Sequence, residues 1–169
     1  MDRTTSTIVV IVVILLALLG MLLGWRARGR RQSSVPSPLP VPADLGTPSY
    51  SGEVFYVATT IANEPLDRVN AKGLGFRGRA TVTVVPEGVI LGIAGTPGSF
   101  IPAATIRSVD RATWTIDRVV ERNGLVVIAW TLGETDVDSY FRVAEPADPN
   151  PLIDAVTALI GSTAGKATT

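Results

Sequence analysis

Three textures of hydrophobic and polar positions follow one another along the chain. Ile8 to Trp25 is an uninterrupted run of 18 residues without a charge, and 13 of the residues from Ile8 to Leu23 are Ile, Val or Leu. As a helix this run covers about 27 Å, close to the ~30 Å hydrocarbon thickness of a bilayer. It predicts one transmembrane helix over residues 8–25. Between Gln32 and Ser51 prolines stand at 36, 38, 40, 42 and 48. Alternate prolines disfavour helix and sheet alike and bias the chain to polyproline II, so residues 26–51 read as a basic and then proline-rich tether. Stretched from Ser33 to Pro48, such a spacer reaches at most ~50 Å.

From Gly52 onward the pattern changes to short β-branched and aromatic runs divided by turn residues. Strands are expected over 53–62, 80–85, 89–94, 99–102, one or two within 106–120, then 125–132 and 137–143. Val82 and Val84 alternate with Thr81 and Thr83. Val126, Ile128, Trp130 and Leu132 share a face, as do Val137, Phe141 and Val143. Asn123-Gly124 is the strongest hairpin signal. The last element is a helix, with Asn150 as N-cap, Pro151 at its first position and a stop at Gly161. Its stripe of Leu152, Ile153, Val156, Leu159 and Ile160 must be buried on the preceding sheet.

Charge orients the first helix. The whole chain is formally neutral, but residues 1–49 carry five basic and two acidic side chains, whereas residues 50–169 carry ten and thirteen. Arg26, Arg28, Arg30 and Arg31 follow the apolar run and only Arg3 precedes it. A cleaved signal peptide has the opposite order. The bias places the N-terminus (residues 1–7) outside and the C-terminal side in the cytoplasm, with Trp25 as interfacial anchor. Gly20 and Gly24 form a GxxxG pair at which two such helices can pack closely.

The composition removes several kinds of chemistry. With no cysteine and no histidine there are no disulfides, thiolate nucleophiles or imidazole bases, and almost no route to a zinc site. No carboxylate is placed by sequence in an apolar pocket, so no catalytic constellation is expected. No cofactor, metal or nucleic acid is implied either. Gly73-Leu74-Gly75-Phe76-Arg77-Gly78 spells GxGxxG, but a dinucleotide site needs a strand before it and a helix after it, and here a loop leads into a strand. The same loop gathers Arg68, Lys72, Arg77 and Arg79, candidates for contact with lipid or phosphate. Glu134, Asp136 and Asp138 read as a solvated acidic edge. Asp110, Asp117 and Glu121 among Arg107, Arg111, Arg118 and Arg122 read as charge pairing on an exposed strand face.

About seven strands closed by one terminal helix is the pleckstrin-homology (PH) plan. The segments Gly78–Val84, Glu87–Leu91, Phe100–Pro102, Ile106–Val109, Gly124–Trp130 and Asp138–Arg142 resemble those of bacterial PH-like domains. The chain as a whole looks like actinobacterial single-pass membrane proteins that carry such a domain after one helix. The resemblance implies a mainly β fold: a bent barrel of about seven strands over residues 52–162, capped by its C-terminal helix, with 163–169 a disordered tail. It implies a non-enzymatic protein-interaction or scaffold module on the cytoplasmic face of the cell membrane, its protein partner unnamed. The alternatives are an anionic-lipid-contacting module working through loop 68–79, and an accessory subunit of a transporter or envelope complex.

Overall fold

The structure is a computed structural model that describes residues 3–32, 35–70, 73–112, 114–115, 118–119, 125–143 and 148–166. The chain divides into two compact units, Met1–Ser34 and Val35–Thr169. The first is one helix, α1 (Arg3–Gln32). Its described side chains include Ile8 and residues 10–24, all exposed. Among the described residues no helix is long and apolar enough to cross a membrane. The span expected over Ile8–Trp25 is therefore not a feature the structure shows.

The second unit is a mainly β body. Its strands are β1 (Leu39–Pro40), β2 (Tyr50–Ile61), β3 (Glu64–Arg68), β4 (Gly78–Val85), β5 (Gly88–Ile93), β6 (Ser99–Pro102), β7 (Ile106–Ala112), β8 (Trp114–Thr115), β9 (Arg118–Val119), β10 (Leu125–Leu132) and β11 (Thr135–Val143). A 3-10 turn (Ala103–Thr105) joins β6 to β7, and α2 (Asn150–Lys166) follows β11. Nine strands form one antiparallel sheet in the order β1-β6-β5-β4-β2-β11-β10-β7, with β3 also on β2, while β8 and β9 pair separately. No pairing joins β7 to β6 or β1 among the described residues. The sheet is thus open rather than a closed barrel, and it has two strands more than the sequence suggests.

Both extra strands come from segments whose residues argue against strand. β3 forms because the chain reverses over Ala62-Asn63, with Asn63 in the left-handed region (φ 64°), bringing Glu64 opposite Ile61. A short polar side chain makes asparagine one of the few residues that tolerate this conformation. β1 comes from the proline-rich stretch itself, with Leu39 opposite Phe100 and Pro40 opposite Ser99. Its neighbours are also fixed to the body. Val35 packs against the hydrophobic core. A Cβ on Gly133, which turns β10 into β11 at φ 64°, would lie 2.6 Å from Pro36 Cγ, and one on Gly98 would lie 2.9 Å from Val41 Cγ2. The Gly46 amide donates to Glu87 Oε2 at 3.0 Å. The stretch read as a free spacer is, from Val35, a clasp laid on the domain.

The core matches the alternation read from sequence. Val82, Val84, Val126, Ile128, Trp130, Leu132, Val137, Phe141 and Val143 are buried, together with Tyr56, whose ring lies 5.9 Å from that of Phe141. α2 packs against β7, the 3-10 turn, β2 and β4, burying Leu152, Val156 and Leu159. Its start differs in detail. Asn150 does not cap with its own side chain, because its Oδ1 accepts from Arg111 at 2.5 Å. Asp148 accepts the Asn150 amide at 2.9 Å instead, and the Pro149 carbonyl accepts from Ile153 at 3.2 Å. The helix also runs past Gly161, where Ser162 and Thr163 both donate to the Leu159 carbonyl. The hairpin expected at Asn123-Gly124 lies outside the described residues.

Removing the buried Leu152 side chain should lower unfolding stability by about 2–5 kcal/mol, the range for Leu→Ala in a closed core. Urea denaturation of Leu152→Ala followed by tryptophan fluorescence measures this. A loss below about 1 kcal/mol would mean that α2 is not seated as described.

Candidate interaction surface

The four basic residues of the β2–β4 connection have different fates. Arg68 turns inward. Between Tyr140 and Phe141 the β2–β11 register skips Val57, a bulge that leaves this residue outside the ladder. The Arg68 guanidinium donates to the Val57 carbonyl. It therefore serves a bulged backbone, and a half-buried side chain so placed presents little charge to solvent. Lys72 lies outside the described residues. Arg77 and Arg79 are exposed, and among the described residues neither makes an ion pair.

The GxGxxG stretch is held rather than flexible. Gly73 has φ 92°, and a Cβ there would lie 2.9 Å from Ser99 Oγ, so glycine meets both a left-handed backbone and a close approach to β6. Leu74 is buried, and its carbonyl accepts from the Tyr56 hydroxyl at 3.0 Å. That bond ends a buried chain. Trp130 Nε1 lies 2.9 Å from Ser139 Oγ, Ser139 Oγ 2.7 Å from Thr59 Oγ1, and Thr59 Oγ1 2.8 Å from Tyr56 Oη. The ends fix the direction of every bond. An indole N–H only donates and a carbonyl only accepts. Ser139 therefore accepts from Trp130 and donates to Thr59, Thr59 donates to Tyr56, and Tyr56 donates to Leu74. One column of hydroxyls ties β10, β11 and β2 to the loop.

Outside this column the surface mixes apolar and cationic groups. Leu66 is 78% exposed and Phe76 77% exposed, both within the connection from β2 to β4. Phe55 is 40% exposed on the outer face of β2. Its cross-strand neighbours are Arg79 on β4 and Arg142 on β11. Arg142 escapes a reading by sequence neighbourhood because it arrives from a strand 63 residues beyond Arg79.

The other charged candidates are internally compensated. Arg107 faces Asp136 at 3.5 Å and Asp138 at 3.8 Å, and Arg111 faces Asp148 at 3.8 Å. Pairing expected along one strand face is thus made with β11 and the approach to α2. Asp117, Glu121, Arg122 and the Arg118 side chain lie outside the description. Burial pushes the Asp138 carboxyl up, Arg107 opposes this, and Asp136 adds to it. Among the described residues no group of three acidic side chains could hold a metal ion. On α1, a Cβ at Gly20 or Gly24 would meet nothing within 4 Å, while the side chains of Trp25, Arg26, Arg28, Arg30 and Arg31 lie outside the description.

Comparison with known proteins agrees with this architecture. The family described as Bacterial PH domain-like (bPH_11) matches residues 34–157, and the chain belongs to it. The match begins beside the clasp rather than after it. Such domains are generally interaction modules for proteins or lipids and are generally non-catalytic. A solved structure titled "Vav1 inhibited by an allosteric inhibitor: Vav1 inhibitors block GEF activity" is similar at TM-score 0.41 and 11% identity, over 69% of this chain and 27% of that one. No curated protein sequence matches the chain.

Tyr56→Phe deletes the donor to Leu74 and leaves a buried carbonyl unpaired, which should cost about 1–3 kcal/mol. Amide exchange at residues 73–76 should rise with it, and unchanged exchange there would show that the hydroxyl column does not hold the loop. Burial pushes the Tyr56 phenol up to about 12, with the Thr59 hydrogen bonds and Arg68 opposing. A raised folded value means stability is fully present below the unfolded value near 10 and is lost as pH rises through 12. The phenylalanine variant should show a shallower fall in stability between pH 10 and 12. Burial raises Tyr50 and Tyr140 as well, so part of the slope remains.

Proposed function

We propose that the chain is a membrane-tethered, non-catalytic interaction module that holds a protein partner on the cytoplasmic face. The observation that carries this reading is the joint exposure of Phe55, Leu66 and Phe76 beside Arg77 and Arg79 on and around β2 and β4. Large exposed apolar side chains interleaved with arginine are the composition of recognition surfaces. Tethering is supported by the charge-free run Ile8–Trp25 within a 30-residue helix and by the arginines that follow it in sequence. In sequence only Ser33 and Ser34 lie between Gln32, the last residue of α1, and Val35, the first residue of the second unit. The family-wide tendency toward binding roles agrees with the interaction part of this reading.

A second reading, anionic-lipid contact, is favoured by Leu66 on β3 and Phe76 on the loop before β4, whose exposure suits shallow insertion beside Arg77. Vesicles of phosphatidylglycerol separate the two. Loss of vesicle binding in Phe76→Ser and Arg77→Glu, with protein crosslinks intact, would assign the loop to lipid.

The full-length protein with a C-terminal tag should resist alkaline carbonate extraction from membranes. In intact spheroplasts its tag should be protected until the membrane is opened. Release by carbonate would end the tethering reading, and cleavage of the tag on intact spheroplasts would end the cytoplasmic orientation. Crosslinks to a discrete protein species should survive replacement of α1 by an unrelated membrane helix. Their loss would move the interaction from the domain to α1.

A further inference from the structure

Within the module reading, on which it rests, we infer that the row Arg79–Phe55–Arg142 on the outer face of the sheet is the docking surface for an acidic segment of a protein partner. Residues directly opposite one another on neighbouring strands project to the same face. Phe55 is flanked by Arg79 through the β2–β4 register and by Arg142 through the β2–β11 register, and all three are exposed. Their neighbours within β2, Val54 and Tyr56, point inward and are buried. The row is therefore a fixed feature of a rigid sheet, with an aromatic ring between two guanidinium groups.

Charge selects the partner. Arg107 and Arg111 each have a carboxylate within 4 Å, but among the described residues Arg79 and Arg142 have none. Glu53, exposed two positions along the same face, makes no ion pair with either. From Tyr50 onward the chain is net acidic, so the row is a positive island that an acidic ligand reaches against an otherwise repulsive field. Arginine forks match carboxylates in paired hydrogen bonds. Strands two apart are about 9.6 Å from each other. Carboxylates three residues apart in a polyproline II segment stand on one face about 9.3 Å from each other, so the row fits Glu-x-x-Glu with the apolar stretch between the two carboxylates lying over Phe55. A membrane fits less well. Phe55 is 40% exposed on the sheet face, whereas the most exposed apolar side chains, Leu66 on β3 and Phe76 on the loop before β4, are outside the row.

The test uses the full-length chain in nanodiscs of zwitterionic lipid and a dye-labelled extended peptide with a Glu-Val-Val-Glu centre. The peptide should bind, and its Gln-Val-Val-Gln analogue should bind at least about tenfold more weakly. Arg79→Gln with Arg142→Gln should cost a similar factor without unfolding the domain, Phe55→Ala should cost severalfold, and Arg111→Gln should change little. Absence of binding, or binding indifferent to the double variant, overturns the proposal. Recruitment of phosphatidylglycerol vesicles that the double variant abolishes, while the glutamate and glutamine peptides do not differ, assigns the row to a membrane and also overturns it. A photo-crosslinker at Thr81, beside the row, is compared in cells with one at Thr157, exposed on α2. Protein crosslinks from Thr157 alone sink the row but leave the module reading standing. Crosslinks from neither position sink both.

Discussion

The architecture turns on β2, which is asked to do two incompatible things. Its first residues pair with β4 and its last with β3 on one side, while β11 runs along the other. A strand of 12 residues that serves a strongly bent sheet cannot keep one parity from end to end. The bulge at Val57 resolves the conflict. Before it, Val54 and Tyr56 point inward; after it, Ala58, Thr59 and Thr60 are all buried. The shift in parity turns the Thr59 hydroxyl into the core, and the core accepts it only because Tyr56, Ser139 and Trp130 complete a directed chain around it. A buried polar group left without that chain would carry its full desolvation penalty.

This arrangement explains which parts of the sequence were readable. The strands from Ala80 to Val143 announce themselves because one face is buried and one is not, so period-two alternation survives in the residues. The stripe of α2 is legible for the same reason. β1 and β3 were not, because proline, asparagine and glutamate carry local preferences that tertiary contacts override. Leu39-Pro40 becomes a strand through what β6 offers it, and nothing in the segment itself records that offer.

The surface residues divide along a similar line. Arg68, Arg77 and Arg79 are near neighbours in sequence and look like one cluster, yet the bulge claims Arg68 for the backbone. The partner of Arg79 on the outer face is Arg142, supplied by β11 across β2. Proximity in sequence grouped residues that the fold separates and missed one that it brings together. Only strand register, which depends on the whole sheet, decides such memberships. The same holds for the start of α2, where the Asn150 amide donates to Asp148 and the asparagine Oδ1 accepts from Arg111 on β7.

The clasp has one more property. In an extended chain successive N–H groups point to opposite sides, so prolines at 36, 38, 40 and 42 delete donors along a single edge. Leu39 keeps its N–H, and it is Leu39 and Pro40 that pair with β6. Pro36, Pro38, Pro40 and Pro42 thus leave every second residue of this stretch without a donor. A strand arriving from another molecule finds carbonyls but no ladder to join. The proline run, which by composition looks like a device for distance, thus finishes the sheet as a selvage finishes cloth, and keeps neighbouring copies of the domain from knitting together.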